Sequence, residues 1–519
     1  MQRSQRFIIL NNKTKEVTTL TKADPNSCFD TEHLKSDLKG RSVRGGAVTM
    51  ISHAIKFLLL TGSTIVLARL LTPLDYGLIA MVTAITGFVE MFKDMGLSMA
   101  TIQKAEINHS QVSTLFWINV TVSFVFVLIL AVCAPIISWF YGEPRLTWIT
   151  FALAGTFLFS GLTVQHHALL SRQMRFTIIA MIQIGSMGIG ITVGIVMAFY
   201  GAGYWALVGL SITNVLISMV LVWVFCRWRP SLPVRGSGIL PMVKFGGHLT
   251  GFDIVNYFAR NFDNILLGRF WGANILGLYS RAYGIMMLPI NQIRVPLNNV
   301  AIPALSHIKN DPFRYKSYYI KLITLIAFIT MPLMVFLFVC ADQVIFLLLG
   351  SQWLGTIDIF KILCINAFIQ PVSTTWGLVL VSLGQSKRYL SWGIINSVII
   401  VFSFILGLPW GAIGVAAAYT IASYVLLWPS LWYCFRQTPI SVKDFWGAIF
   451  RPAIASIIMG LVIFAIRSYL INTPEIVTLV SFFISGILMY NIVFIFLPGG
   501  WRLLRELSSY RHFLFQKSM

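Results

Sequence analysis

The residues of this sequence best placed to do chemistry are charges set inside long apolar runs: Lys56, Glu90, Asp253, Arg260, Arg281 and Arg294. An ionisable group at membrane depth is costly, so it faces a cavity, a ligand or a partner of opposite charge. Thr49, His53, Lys56 and Ser63 share one helix face by their i, i+4, i+7, i+14 spacing. Lys56 lies roughly 16 Å along a helix begun at Gly45, at about 1.5 Å per residue, which is near the middle of a bilayer. It reads either as a cavity cation, with His53 beside it, or as the partner of Glu90 or Asp94. Asp253, Asn256, Arg260 and Asn264 form a polar stripe on a later run, and Arg281 reaches similar depth on the next. Two unpaired guanidiniums there would suit a phosphate, which arginine binds in bidentate fashion. The competing reading pairs Arg281 with Asp263. Arg294 shares a face with Asn291 and Asn298 and reads as an anion contact near the cytoplasmic end or as a structural anchor. Asp253 is a candidate for coupling to a proton or sodium ion. Glu90 is a second, unless it and Asp94 form a local ion pair with Lys93. Asp358 and Lys361, three residues apart, read as mutually neutralising. Pro289, Pro296 and Pro303 recur every seven residues on nearly one face, where each removes a backbone donor and can kink or hinge the helix.

The elements that must position these charges are membrane helices. Hydrophobic residues make up 57% of the chain and charged ones 11%, against about 25% charged in soluble domains. A bilayer span needs about twenty mainly apolar residues, and about fourteen such runs can be drawn. They include 77–102, 146–170 and 354–382, each as one helix. The segment 342–352 is short and reads as interfacial, ending at Trp353 as an anchor. The net charge of +21 first suggests nucleic acid. However, the basic residues gather in the tails and alternate loops, which is topology and not nucleic-acid binding. With the N-terminus inside, the outward loops hold only Arg69, Arg145, Arg269 and Arg467, and both termini are cytoplasmic. The six cysteines show no CxxC spacing and read as small apolar packing residues. The polar segment 1–44 lacks the order of a signal peptide and reads as a disordered cytoplasmic tail.

Arg69 and Gly77 recur as Arg269 and Gly277, and Gly45-Gly46-x-x-Thr49 recurs as Gly246-Gly247-x-x-Thr250. This equates helices 1 and 2 with helices 7 and 8 and predicts parallel repeats. The expected fold is an all-α polytopic membrane protein with two six-helix lobes around a central cavity, plus two extra helices. The boundaries are a tail at 1–44, a first lobe at 45–228, a linker at 229–241, a second lobe at 242–436, helices 13 and 14 at 445–498, and a tail at 499–519. No Walker A loop, HExxH or GxSxG context is present. An enzyme is not expected and no cofactor or metal is called for; uphill work would draw on an ion gradient or a partner.

The segments ARLLTPLDYGLIAM (68–81), DMGLSMATIQK (94–104), QVSTLFWINV (111–120), FYGEPRL (140–146), GYWALV (203–208) and NFDNILLGRFWGANILGLYSRAYGIMMLP (261–289) resemble the polysaccharide transporter family. These are Wzx-type flippases of the multidrug/oligosaccharidyl-lipid/polysaccharide superfamily, in the branch like the colanic acid exporters. The resemblance implies a bacterial inner-membrane protein with a cationic cavity. It implies movement of undecaprenyl-diphosphate-linked oligosaccharide to the periplasmic leaflet for exopolysaccharide, capsule or O-antigen synthesis. Lys56, Arg260 and Arg281 match by placement as diphosphate contacts. Membrane lipids, a polysaccharide polymerase and export machinery are the implied partners. Two alternatives stand beside it: an ion-coupled exporter of soluble amphiphiles from the same superfamily, and a membrane glycan polymerase or ligase. The second would need a large outward loop, and every outward loop here is short.

Overall fold

Helices follow the apolar runs. A computed structural model describes residue 29 and residues 38–89, 96–104, 106–233, 240–467 and 475–501; within these, residues 38–39, 41–43, 240–256, 259, 299 and 475 are described by backbone alone. In chain order the first half holds α1 (Leu38–Leu70), α2 (Pro73–Thr86), α3 (Leu97–Gln103), α4 (His109–Tyr141), α5 (Arg145–Gly161), α6 (Val164–Arg172), α7 (Phe176–Phe199) and α8 (Trp205–Cys226). The second half holds α9 (Leu240–His307), α10 (Pro312–Val339), α11 (Ala341–Leu349), α12 (Ile357–Ser373), α13 (Trp376–Ser382), α14 (Ser386–Gly407), α15 (Gly411–Phe435), α16 (Val442–Arg467) and α17 (Glu475–Phe496). Among the described residues, ten stretches are long and apolar enough to cross a bilayer. One of them contains both α14 and α15, and the two arms of α9 with the broken α2–α3 run complete an all-helical bundle of fourteen crossings. Large apolar side chains such as Trp139, Phe199 and Phe496 are exposed on the outside, as expected when hydrocarbon is the solvent.

Several expected single helices are broken, each for a local reason. The 77–102 run starts earlier, because Pro73 opens α2 behind a Thr72–Asp75 capping box. It stops at Gly87, and α3 begins after Gly96, which takes φ +65°. The 146–170 run divides into α5 and α6 where Thr163 Oγ1 donates back to the Ser160 carbonyl at 2.7 Å. The 354–382 run divides into α12 and α13, where Ser373 and Thr374 donate to the Gln370 carbonyl and Thr375 to that of Val372. Such back-bonding competes with the helix ladder and bends it. In α9 the only non-helical residue is Gly272, at φ 79° and ψ 176°. Glycine tolerates that conformation, and the two arms fold side by side with Tyr279 bonded to Asp263. The backbone stays helical through Pro289, Pro296 and Pro303.

The glycines repeated in sequence meet at the centre of the molecule. A Cβ on Gly77 would overlap the Ala273 carbonyl, and one on Gly277 would overlap the Pro73 carbonyl. Pro73 and Gly77 therefore face Ala273 and Gly277 reciprocally, the contact a two-fold repeat requires, and only glycine permits the approach. Nearby, the segment expected to be interfacial is instead a tie between the two halves. Trp353 is fully buried, not an anchor; it packs edge-on against Tyr76 at 5.4 Å and donates from Nε1 to the Ala68 carbonyl at 2.7 Å. Gln352 Nε2 donates to the Leu71 carbonyl at 2.9 Å, and Arg69 donates to the Leu347 carbonyl at 2.8 Å. The bonds to Ala68 and Leu71 cap the end of α1, and the Arg69 bond caps the end of α11; the last carbonyls of each helix have no helical partner. The halves are thus sealed at the end that carries Arg69, Gly142 and Gly272.

The last two helices pack onto the second half. Gly460 of α16 admits Val335 of α10, and Phe328 of α10 meets Tyr490 and Phe494 of α17 at 5.1 and 5.0 Å. Lys316 pairs with Asp444 at one end of α16, and Asp342 pairs with Arg467 at the other. Lys361 also joins Asp342, at 2.9 Å, and not Asp358 as its spacing suggested. Asp358 is exposed at the start of its helix, whereas Asp342 already sits beside Lys361.

Candidate functional site

The charged side chains singled out in the sequence fall into three groups, two of which open onto internal cavities. The first lies within the second half, where both arms of α9 meet α12, α13, α14 and α15 around a cavity of about 290 Å³. Arg260 and Arg294 line it with Tyr283, Asn366, Gln370 and Tyr419. The two arginines lie close enough to act on each other electrostatically, and both act on Tyr283 and Tyr419. Arg260 is exposed and Arg294 is partly buried. Asp263, the only carboxylate among the described lining residues, accepts from the Tyr279 hydroxyl and the Asn264 amide, each at 2.8 Å. It is 5% exposed and does not pair with Arg281, so that expected ion pair is absent; its tyrosine partner sits on the facing arm instead.

The second group surrounds Arg281. A cavity of about 270 Å³ lies between α2, α8 and the two arms of α9, and Tyr76, Thr83, Ser211, Asn261 and Asn264 line it with Arg281. The Arg281 guanidinium carbon lies 4.1 Å from the centre of the Tyr76 ring, a cation–π contact. Its Nε has no hydrogen-bond partner, and the Asn264 side-chain oxygen has none either. Among the described residues neither Arg260, Arg281 nor Arg294 has a carboxylate in ion-pair range.

The third group is on α1. Lys56 Nζ donates to Gln183 Oε1 of α7 at 2.8 Å, and His53 is exposed one turn away. Among the described residues the lysine thus has a neutral partner and no carboxylate. Asp253 is described by backbone alone, and Glu90, Lys93 and Asp94 lie outside the described residues. The structure thus brings Arg260 and Arg294 together, sets Arg281 in a separate cavity at the boundary between the halves, and leaves Lys56 and His53 on the α1–α7 face. Arg294 also lines a small adjoining space with Asn298, the face its spacing indicated. Sequence reasoning missed Asn366, Gln370, Tyr283 and Tyr419. A signal existed for the first two: an i, i+4 pair of amides inside an apolar run.

A two-lobed bundle of fourteen crossings, with arginines facing internal cavities and no carboxylate paired to them among the described residues, defines a multi-pass membrane protein with a transporter fold. The fold matches a lipid II flippase, MurJ, in its inward closed conformation, with a TM-score of 0.70 at 16% identity, covering 87% of this chain and 98% of that one. It also matches an inward-facing multidrug resistance MATE transporter of the MOP superfamily, with a TM-score of 0.57 at 16% identity, covering 73% and 94%. Residues 66–358 match the polysaccharide biosynthesis protein family model, and the chain belongs to that family. Among curated relatives it is 25% identical over 417 residues to the lipopolysaccharide biosynthesis protein WzxC of Escherichia coli, covering 78% of this chain and 85% of the relative. It is 26% identical over 389 residues to the teichuronic acid biosynthesis protein TuaB of Bacillus subtilis, covering 73% and 80%. It is 23% identical over 442 residues to the succinoglycan biosynthesis transport protein ExoT of Rhizobium meliloti, covering 82% and 87%.

Proposed function

We propose that this chain moves an undecaprenyl-diphosphate-linked oligosaccharide from the cytoplasmic to the outer leaflet of a bacterial inner membrane by alternating access. The observation that carries this reading is the set of guanidiniums at Arg260, Arg281 and Arg294, which face cavities with no carboxylate partner among the described residues. A diphosphate entering a bilayer must exchange its water for other donors, since unpaired charge in hydrocarbon costs several kcal/mol or more. Arginine supplies those donors in a planar fork that fits phosphate oxygens. The names of the relatives and of the fold neighbour, all concerned with surface polysaccharide or lipid-linked precursors, support the same reading.

In this scheme the seal around Trp353, Gln352 and Gly77 closes the outer side, and the headgroup enters from the cytoplasm. The diphosphate meets Arg294 and Arg260 first and Arg281 at the boundary between the halves, while the prenyl tail stays in lipid. Opening requires the Gly77–Ala273 and Gly277–Pro73 contacts to loosen, with the proline-bearing arm of α9 as the flexing element. Both termini lie in the cytoplasm, and a proton or sodium gradient drives the cycle, with Asp253 as the coupling candidate. An exporter of cationic amphiphiles is disfavoured, because its cavity would carry carboxylates in place of arginines. Deleting the gene should accumulate lipid-linked repeat units in the inner leaflet and abolish surface polymer. Normal polymer export in a deletion strain with no second flippase would sink the proposal.

A further inference from the structure

The cavity between α9 and α12–α15 holds more than positive charge. Asn366 is fully buried beside the Tyr419 hydroxyl, which interacts with it, but neither its side-chain oxygen nor its side-chain nitrogen meets a described group in good hydrogen-bond geometry. One turn on, Gln370 donates from Nε2 to the Tyr419 hydroxyl at 3.1 Å, while its Oε1 is buried without a donor. Both residues line the cavity, as do Tyr283, Asn396 and Ser423. Buried amides without partners are rare and point to a missing ligand or ion.

The unsatisfied atoms restrict what that ligand can be. A phosphate only accepts hydrogen bonds at its ionised oxygens, so it cannot satisfy the amide oxygens of Asn366 and Gln370. A metal ion or organic cation could meet those oxygens, but Arg260 and Arg294 face the same space and repel it. The single carboxylate among the described lining residues, Asp263, is engaged by Tyr279 and the Asn264 amide. A sugar hydroxyl both donates and accepts, so it satisfies amide oxygen and amide nitrogen alike. The apolar C–H face of a sugar ring also packs on the rings of Tyr283 and Tyr419. The volume of about 290 Å³ lies at the small end of ligand pockets, roughly 300–1,000 Å³, and suits a ring rather than a long glycan.

We propose that this cavity is a sugar subsite that seats the monosaccharide attached to the diphosphate, with Asn366, Gln370 and Tyr419 holding its hydroxyls and Arg260 and Arg294 holding the phosphate at the mouth. The subsite rests on the flippase reading and adds to it selectivity for the first sugar. A site built to hydrogen-bond a hydroxyl rejects the analogue lacking it, because buried polar groups are then left unpaired.

The test is competitive binding to the purified full-length chain in lipid nanodiscs. The two probes are sugar-free undecaprenyl diphosphate and the lipid-linked oligosaccharide extracted from a strain lacking this chain. The glycan-bearing probe should bind the wild type about tenfold or more tightly, since two or more hydrogen bonds of roughly fivefold each are gained. Asn366→Leu, Gln370→Leu and Tyr419→Phe should each pull that preference down toward one, with thermal melts checking that the variants are folded. Tyr419→Phe removes only a hydroxyl and keeps the test usable if a leucine variant fails to fold. Equal binding of the two probes to the wild type, or a preference unchanged in folded variants, overturns the sugar subsite and leaves the flippase reading standing. Binding of neither probe overturns both.

Discussion

Replacing Arg281 with methionine separates a transport role from a structural one. The guanidinium sits over Tyr76 at 4.1 Å, with no carboxylate in range among the described residues and an unpartnered Nε. Methionine keeps an unbranched apolar stem against the ring and removes the charge. The loss is the cation–π contact, about 2 kcal/mol when desolvated. The gain is relief from holding an unpaired charge at a buried site, which costs several kcal/mol unless water or ligand compensates it. The two terms offset, so the fold should be unchanged within about 1 kcal/mol or be slightly more stable. Transport should behave differently. Each charge-assisted bond to a phosphate is worth about 1.5–3 kcal/mol, so losing one slows transport by roughly ten- to hundredfold. Arg281→Lys keeps the charge without the fork and should fall between. Membrane abundance and a thermal melt report the fold, and surface polymer reports transport. If Arg281→Met instead lost about 3–5 kcal/mol, the signature of a broken buried ion pair, with abundance collapsing, the arginine would be a structural partner. Full polymer export from that variant would equally refute the reasoning.

Three further outcomes follow from the same geometry. Trp353→Ala should destabilise the chain by about 3–5 kcal/mol, whereas Trp353→Phe should lose only about 1 kcal/mol, because Gln352 also donates to the Ala68 carbonyl; equal melts for the two variants would contradict the outer seal. Burial pushes the Asp342 carboxyl up, but hydrogen bonds and charge from Arg467 and Lys361 outweigh it and hold the group below its usual range. A depressed carboxylate stabilises the fold above its unfolded value and loses that contribution as pH falls through the folded one. A melt in acid should therefore lose about 1 kcal/mol or less through this half-exposed group, and Asp342→Asn should abolish that part of the acid dependence. Cysteines placed at Gly142 and Ala202 should label from the outer side and one at Gln385 from the cytoplasmic side; labelling of 142 and 385 from one side would overturn the assigned topology.

Much of this was legible in the sequence because a bilayer imposes few solutions. Apolar runs of about twenty residues gave the crossings, and the recurrence of Gly77 at Gly277 equated the second helix with the eighth, though it did not show that these glycines meet each other's neighbours at the centre. The charges worth asking about stood out against hydrocarbon: Arg260, Arg281 and Arg294 do line cavities. Partners were not legible, since they depend on which helices adjoin. Lys56 meets Gln183, 127 positions away, and Lys361 meets Asp342 in place of its helical neighbour Asp358. Trp353 looked like an interfacial anchor because aromatic belts favour tryptophan, yet the end of α1 covers it completely. Helix breaks at Thr163 and Thr375 also escaped, because hydroxyl back-bonding is too local to disturb an apolar run. Asn366 and Gln370 were readable as buried amides, but only the packing of α12 against α9 and α15 shows that they face a cavity.

The most direct test of the account is transbilayer movement by the purified chain. Liposomes carrying undecaprenyl-diphosphate-linked oligosaccharide expose about half of it to an added glycosidase. Wild-type protein should render the protected half accessible, and Arg260→Ala and Arg281→Ala, reconstituted at equal abundance, should do so far more slowly. If the wild type leaves the inner half protected as completely as protein-free liposomes do, with the relevant ion gradient supplied, the chain is not a flippase for this substrate.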